Sequence, residues 1–334
     1  MQQQSDFTVD HELERELLAH PALAGGTLRF VRRIPTPYSE VLEYCFCSRG
    51  RMKSLLVKQQ VPGAKAEQGT LEEFANLARA RTLLGLALEQ SVPEPLLVLP
   101  KRGVLVTGKV SGVPFAAILK KYANRFAGPF CTLAVRETAR HVGMWLRSFQ
   151  HATRGEPVTY SADSYLADLE VRLAKCAEKG LEPNLTREIL HRASLRSASL
   201  NGRLISAAAG HGDFIPQNIL VEDDQIGVVD FEGFCERETI FDDLGKFLGY
   251  LLVLSARLPY SPRSLNAAHC GFLAGFLAGD SIDETLLNTY ILKGAVRIIA
   301  DGPLQAGSWR RLGTSWMLAR RLEDLASGRK ISGS

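Results

Sequence analysis

The sequence predicts an α+β fold in two lobes, an antiparallel β-rich N-lobe with one helix followed by a mainly helical C-lobe. Three observations predict it. Runs rich in β-branched and aromatic residues crowd the N-terminal third, apolar residues recur at helical spacing from Phe115 onward, and one short hairpin interrupts the helices.

Taken in order, residues 1–25 read as a short helix closed by the turn Gly25-Gly26, and Thr27–Arg32, Glu40–Cys47 and Lys53–Val61 as a meander of strands. Val61-Pro62-Gly63 breaks the third strand, and a helix follows from Leu71 to about Leu88, where Thr70 and Glu73 form a capping-box pattern. Leu96–Leu99 and Val104–Thr107 make a second strand pair. The tract around Gly108 and Gly112 reads as a hinge, giving an N-lobe of 1–107 and a C-lobe of 108–334. C-lobe helices are predicted at Phe115–Asn124, Phe130–His151, Ser161–Lys179 and Thr186–Ser199, then at Phe241–Ala256, Ser264–Ala278, Ile282–Ala300 and Ser308–Leu325. Between the two groups lies the hairpin, Ile219–Val221 and Ile226–Val229, with Asp223 and Asp224 in its turn.

Composition narrows the function classes. The 334 residues are 46% hydrophobic and 23% charged, an ordinary globular balance. The longest apolar run, Phe247–Leu254, stops at Ser255, too short to cross a membrane. The polar, acidic N-terminus lacks the pattern of a secretory signal, so a cytoplasmic protein is expected. The six cysteines match no zinc or disulfide spacing; Cys45 and Cys47 share one strand face and read as buried thiols. A net charge of +4 without a basic block argues against nucleic acid as a partner, while an anionic nucleotide is compatible with it. The last helix, with Trp309, Trp316, Arg320 and Arg321, reads as a packing helix with solvated arginines.

The chemistry concentrates around the hairpin. His211-Gly212-Asp213-Phe214-Ile215-Pro216-Gln217-Asn218 precedes it and Val228-Val229-Asp230-Phe231-Glu232 follows it. Antiparallel strands bring Asn218 and Asp230 to the same end, within reach of one Mg²⁺. Asp213 is placed to hydrogen-bond an attacking hydroxyl. Phosphoryl transfer asks for this set: cations on the phosphates, an aligned nucleophile and little covalent help.

H-G-D-x-x-x-x-N followed by V-D-F-E resembles the catalytic loop and metal segment of the aminoglycoside phosphotransferase and choline kinase-like superfamily, relatives of protein kinases. The resemblance implies a protein-kinase-like fold and an ATP- and Mg²⁺-dependent small-molecule phosphotransferase. It makes Asp213 the catalytic base, Asn218 and Asp230 the metal ligands, and His211 the buried brace of the loop. One of Asp242 and Asp243 would be the family's structural Asp. Lys58, ending Leu55-Leu56-Val57-Lys58, resembles the lysine that grips the α- and β-phosphates, with Glu73 as ion-pair partner and Glu72 in reserve. Val104–Lys109, including Thr107 and Lys109, resembles the segment whose backbone meets adenine. The family's glycine-rich loop is absent; Ile34–Ser39 stands there, and phosphate contact would come from the Ser39 hydroxyl or backbone amides.

Two other classes compete. A protein kinase would carry an activation segment closing with A-P-E, and only Phe231–Ile240 separates Asp230 from the next helix. A catalytically silent kinase-fold binding module would lack the base or a metal ligand, and all are present. Glu232, Glu236 and Glu238 would suit a cationic or polyhydroxy acceptor (an aminoglycoside, amino alcohol or sugar), although a solvated loop explains them equally. A sugar or glycan hydroxyl is favoured because no aromatic cage for a quaternary ammonium is evident.

Overall fold

The structure is a computed structural model that describes residues 10–35, 39–60, 64–301 and 314–326, and the chain divides into two compact units, Met1–Val110 and Ser111–Ser334. In the first unit, α1 (His11–Ala19) starts at Asp10, whose carboxylate accepts the Glu12 and Leu13 N–H groups at 3.0 Å each. Strands β1 (Thr27–Pro35), β2 (Ser39–Ser48), β3 (Arg51–Gln60), β4 (Pro95–Leu99) and β5 (Val104–Gly108) form one antiparallel sheet in the order β1-β2-β3-β5-β4. Alternation along β3 buries Leu55 and Val57, which join Leu13 and Leu17 of α1, Tyr44 and Val106 in one apolar core.

Helix α2 (Ala64–Leu88) starts seven positions before the predicted Leu71. Thr70 therefore lies inside the helix, where its hydroxyl donates to the Ala66 and Glu67 carbonyls at 2.8 and 3.0 Å, so the capping box does not form. Ala64-Lys65-Ala66-Glu67-Gln68 is a run of strong helix formers, which outweighs the local start signal. The breaker Val61-Pro62-Gly63 and positions 36–38 of the Ile34–Ser39 turn lie outside the described residues.

The second unit contains β6 (Val113–Pro114), α3 (Phe115–Tyr122), α4 (Pro129–Ala152), β7 (Gly155–Thr159), α5 (Ala162–Glu178), α6 (Pro183–Ala198), β8 (Leu204–Gly210), β9 (Ile219–Glu222), β10 (Gln225–Val228), β11 (Cys235–Thr239), α7 (Phe241–Ser255), α8 (Pro262–Leu277), α9 (Glu284–Asp301) and α10 (Thr314–Ala326). The hairpin β9–β10 takes β6 as its third strand, and a separate sheet runs β11-β8-β7. That second sheet was not expected. Its central strand reads Leu-Ile-Ser-Ala-Ala-Ala-Gly, with Ala207, Ala208 and Ala209 all buried, so it shows neither the alternation nor the bulk that marks a strand.

Aromatic rings fill the core beneath the hairpin: Phe247 lies 4.1 Å from Phe272 and 5.8 Å from Phe214 between ring centroids, and Phe214 lies 5.7 Å from Trp145. Helices α7 and α9 cross at backbone contact. A Cβ on Gly245 would stand 2.4 Å from the Tyr290 carbonyl carbon, and one on Gly294 would stand 2.3 Å from the Gly245 oxygen.

Two further expectations change. Cys176 is buried and its thiol is pushed up to about 12 by burial, whereas Cys45 and Cys47 are only partly buried. Of the two arginines of α10, Arg320 is exposed as expected, but Arg321 is partly buried: it donates to the Ser255 hydroxyl, and burial lowers its pKa. Residues 308–313 of that helix, with Trp309, lie outside the described residues. No helix among the described residues is long and apolar enough to cross a membrane.

Candidate active site

The loop from His211 to Asn218 is held from three sides. From α7, the buried Asp243 carboxylate accepts the His211 N–H at 2.6 Å and the Gly212 N–H at 3.0 Å. Burial raises its pKa, and His211 together with those two N–H donors works against the rise. Of the adjacent pair it is thus Asp243 that fastens the loop, while Asp242 pairs with Lys293 at 2.6 Å.

From within the loop, the fully buried His211 ring accepts the Asp213 N–H at Nδ1 (3.2 Å) and donates from Nε2 to the Val229 carbonyl (3.1 Å). That pattern assigns the neutral Nε2–H tautomer, in accord with a pKa lowered by burial. Phe231 braces the ring edge-on at 4.5 Å between centroids. From β11's side, Gly212 sits at φ +78° with the Gly233 carbonyl so close that a Cβ would stand 2.0 Å from its oxygen. The close approach demands glycine, which is the physical reason the motif reads His-Gly-Asp here.

Asp213 is left 39% exposed in its side chain, yet both of its oxygens are engaged. Asn218 donates one amide group to Oδ2 at 2.8 Å and to the Asp213 carbonyl at 3.0 Å. Lys246, from α7, donates to Oδ1 and to the Gly212 carbonyl at 2.8 Å. Asn218 thereby turns its amide oxygen away from Asp213 and makes it the atom available to a cation. The Val229 N–H donates to the Asn218 carbonyl at 2.9 Å, so the hairpin sets Asp230 next to it in the left-handed region, φ +70°.

Sequence reasoning missed Lys246. The signal was present: a lone lysine in an otherwise apolar helical run must find a partner when buried. Its side chain is 8% exposed, and burial lowers its pKa against the pull of Asp213.

In the first unit Lys58 Nζ lies 2.9 Å from both oxygens of the buried Glu73, so the structure pairs it with Glu73 rather than Glu72. Thr107 pairs with Leu56 in the sheet. Lys109 gives its N–H to the Ser54 carbonyl at 3.0 Å and its ammonium to Glu43 at 2.7 Å. Burial raises the Glu43 pKa, but the hydrogen bonds from Lys109 and Arg32 outweigh it and hold the carboxyl below its usual range. The ammonium of Lys109 is thus spent on Glu43. Ser39 opens β2 opposite Gln60.

Beside Gly212 lies a cavity of about 220 Å³ walled by α5, β11, α7 and α9, with Asp168, Arg172, Glu238, Asp242, Lys293 and Arg297 among its lining. Of the three glutamates after Asp230, only Glu238 faces it. The Glu238 carboxyl is raised to about 7, first by burial and then by Asp242, with which it shares a hydrogen bond. In the hairpin turn Asp223 takes φ +51°, and Asp224 pairs with His141 at 3.4 Å.

No family model matches the sequence, and no curated protein matches it either. Solved structures do match in fold. A glucosamine kinase superposes with a TM-score of 0.56 at 17% identity, over 91% of this chain and 96% of that one. A choline/ethanolamine kinase family protein from Mesorhizobium loti gives 0.57 at 17% identity, over 95% and 98%. Amicoumacin kinase in complex with AMP-PNP, Ca²⁺ and Ami gives 0.51 at 14% identity, over 97% and 96%. The chain thus has the protein-kinase-like fold, in the α+β form that these small-molecule kinases share.

Proposed function

We infer that the chain is an ATP- and Mg²⁺-dependent phosphotransferase that moves the γ-phosphate to a hydroxyl of a small molecule. The observation that supports this best is the convergence of Asp213, Asn218 and Asp230 at one end of the β9–β10 hairpin. A carboxylate oriented by an amide and an ammonium suits a base that aligns and deprotonates a hydroxyl. The Asn218 amide oxygen and the Asp230 carboxylate are the residues that would hold Mg²⁺, whose chemistry is to neutralise charge on the phosphates. Lys58, steadied by Glu73, suits the α- and β-phosphates. The relative solved with AMP-PNP and a divalent cation supports ATP as donor. A nucleotide-using enzyme without a membrane-crossing helix among its described residues suits the cytoplasm.

The test is a thermal shift with ATP, ADP and GTP, each with and without Mg²⁺. Ligand at 100 times its dissociation constant adds about 2.7 kcal/mol of stability. A Mg²⁺-dependent rise that Asp230→Ala removes is expected. No shift with any nucleotide would favour the silent binding module instead.

A further inference from the structure

On the α5 and α9 walls of the cavity beside Gly212 three cations, Arg172, Lys293 and Arg297, stand with one carboxylate, Asp168, and Asp242 of α7 pairs with Lys293 at 2.6 Å. Lys293, Arg297 and Asp301 recur every four residues along one face of α9. Asp301 is shared by Arg172 at 2.7 Å, Lys175 at 3.8 Å and Arg297 at 4.0 Å. The remaining carboxylate there, Asp168, is 2.8 Å from Arg172 on its own helix. Of the cavity's cations Arg297 is paired least closely: its one ion pair among the described residues is the contact at 4.0 Å. Across the cavity Lys246 is held on Asp213, and the Arg297 charge acts on it unfavourably. Burial, and then Asp242, raise the Glu238 carboxyl and so favour its neutral form.

We propose that this cavity takes the anionic end of the acceptor, so that the substrate is a hydroxylated acid, its carboxylate or phosphate held by Arg297 with Lys293 and Arg172 while its hydroxyl faces Asp213. The guanidinium fork matches either oxyanion in two-point geometry, and an anion between Arg297 and Lys246 replaces their repulsion by two attractions. The glutamates after Asp230 would have suggested a cation instead, but of these only Glu238 reaches the cavity. The proposal rests on the phosphotransferase reading for the word acceptor; the anion site itself does not.

The experiment uses the full chain with saturating AMP-PNP and Mg²⁺. Glucuronate, glucose 6-phosphate, glucose and glucosamine are titrated in at constant ionic strength and followed by calorimetry. At least one of the two acids should bind, with glucose and glucosamine at least tenfold weaker. The two acid arms separate a carboxylate from a phosphate preference. Arg297→Met should weaken the acid by about tenfold or more, and Arg297→Lys by less. Both variants should melt like the wild type without probe; if Arg297→Met does not, Arg297→Lys with Lys293→Met carries the comparison. Tighter binding of glucosamine or glucose, binding of the acid undiminished by the variants, or no binding of any probe would overturn the proposal. ADP release from ATP is then measured with each probe. An acid that binds without ADP release with any of the four counts against the phosphotransferase reading and leaves the anion site standing. ADP release with glucose or glucosamine alone does the reverse.

Discussion

The His211–Asn218 loop and the α9 wall of the neighbouring cavity are both dense in charge, but they are organised in opposite ways. In the loop the polar groups are satisfied internally: Asp243 takes two backbone donors, His211 bridges two segments, and Asp213 is held by Asn218 and Lys246. Behind the cavity one carboxylate, Asp301 at the end of α9, serves three cations, Arg172, Lys175 and Arg297. A region whose hydrogen bonds close on themselves is built to hold a shape, and one whose charges do not balance is built to receive something.

Four variants would sharpen or break that contrast. The largest effect belongs to Asp213→Asn, which keeps the size of the side chain and removes the proposed base: turnover should fall by about 10³-fold with nucleotide affinity nearly unchanged. Full activity in this variant, measured as ADP release with an identified acceptor, would sink the assignment of the base. Next, Asp243→Ala strands two buried N–H groups and should lower the unfolding free energy by about 3 kcal/mol, read from the urea midpoint at constant m. A loss below about 1 kcal/mol would mean that the loop holds itself without α7.

A smaller effect is expected from Lys246→Met. Asp213 keeps Asn218 but loses its other partner, so turnover should fall by about tenfold, a cost of about 1.4 kcal/mol, and the unfolding free energy should fall by about 1 kcal/mol because the Gly212 carbonyl loses its lysine donor. The smallest effect concerns Glu238. Its folded-state pKa, about 7, lies above the ordinary 4.5, so the folded chain binds more protons than the unfolded one between those values. The Glu238 contribution to stability should be full below about pH 4.5 and decline as pH rises through 7, and Glu238→Gln should remove that part of the slope in melting curves taken from pH 5 to 8.

The same contrast explains what could be read from the sequence. The loop is contiguous, so His211, Asp213, Asn218 and Asp230 fall in one stretch whose spacing already implies the hairpin geometry. The Lys58–Glu73 pair was legible from a strand ending in lysine and a helix after it, although the helix begins earlier than its local signals indicate. Lys246 was hidden because a lysine in a helix is ordinarily solvated. The cavity wall was out of reach: Asp168 and Arg172 lie on α5, Glu238 on β11, and Lys293 and Arg297 on α9, and only the tertiary fold brings these three elements together. The β11-β8-β7 sheet escaped because an alanine-rich strand carries no periodic signal.

The crossing of α7 and α9 has a consequence for selectivity. Helices that meet at Gly245 and Gly294 touch main chain to main chain and cannot slide past one another without losing contact along their length. The interval between the Cα atoms of Lys246 and Arg297 is accordingly set by that crossing. For the proposed anion site this would sort molecules by span: an acceptor whose charged end and reactive hydroxyl are much too close or too far apart would fit either contact and not both.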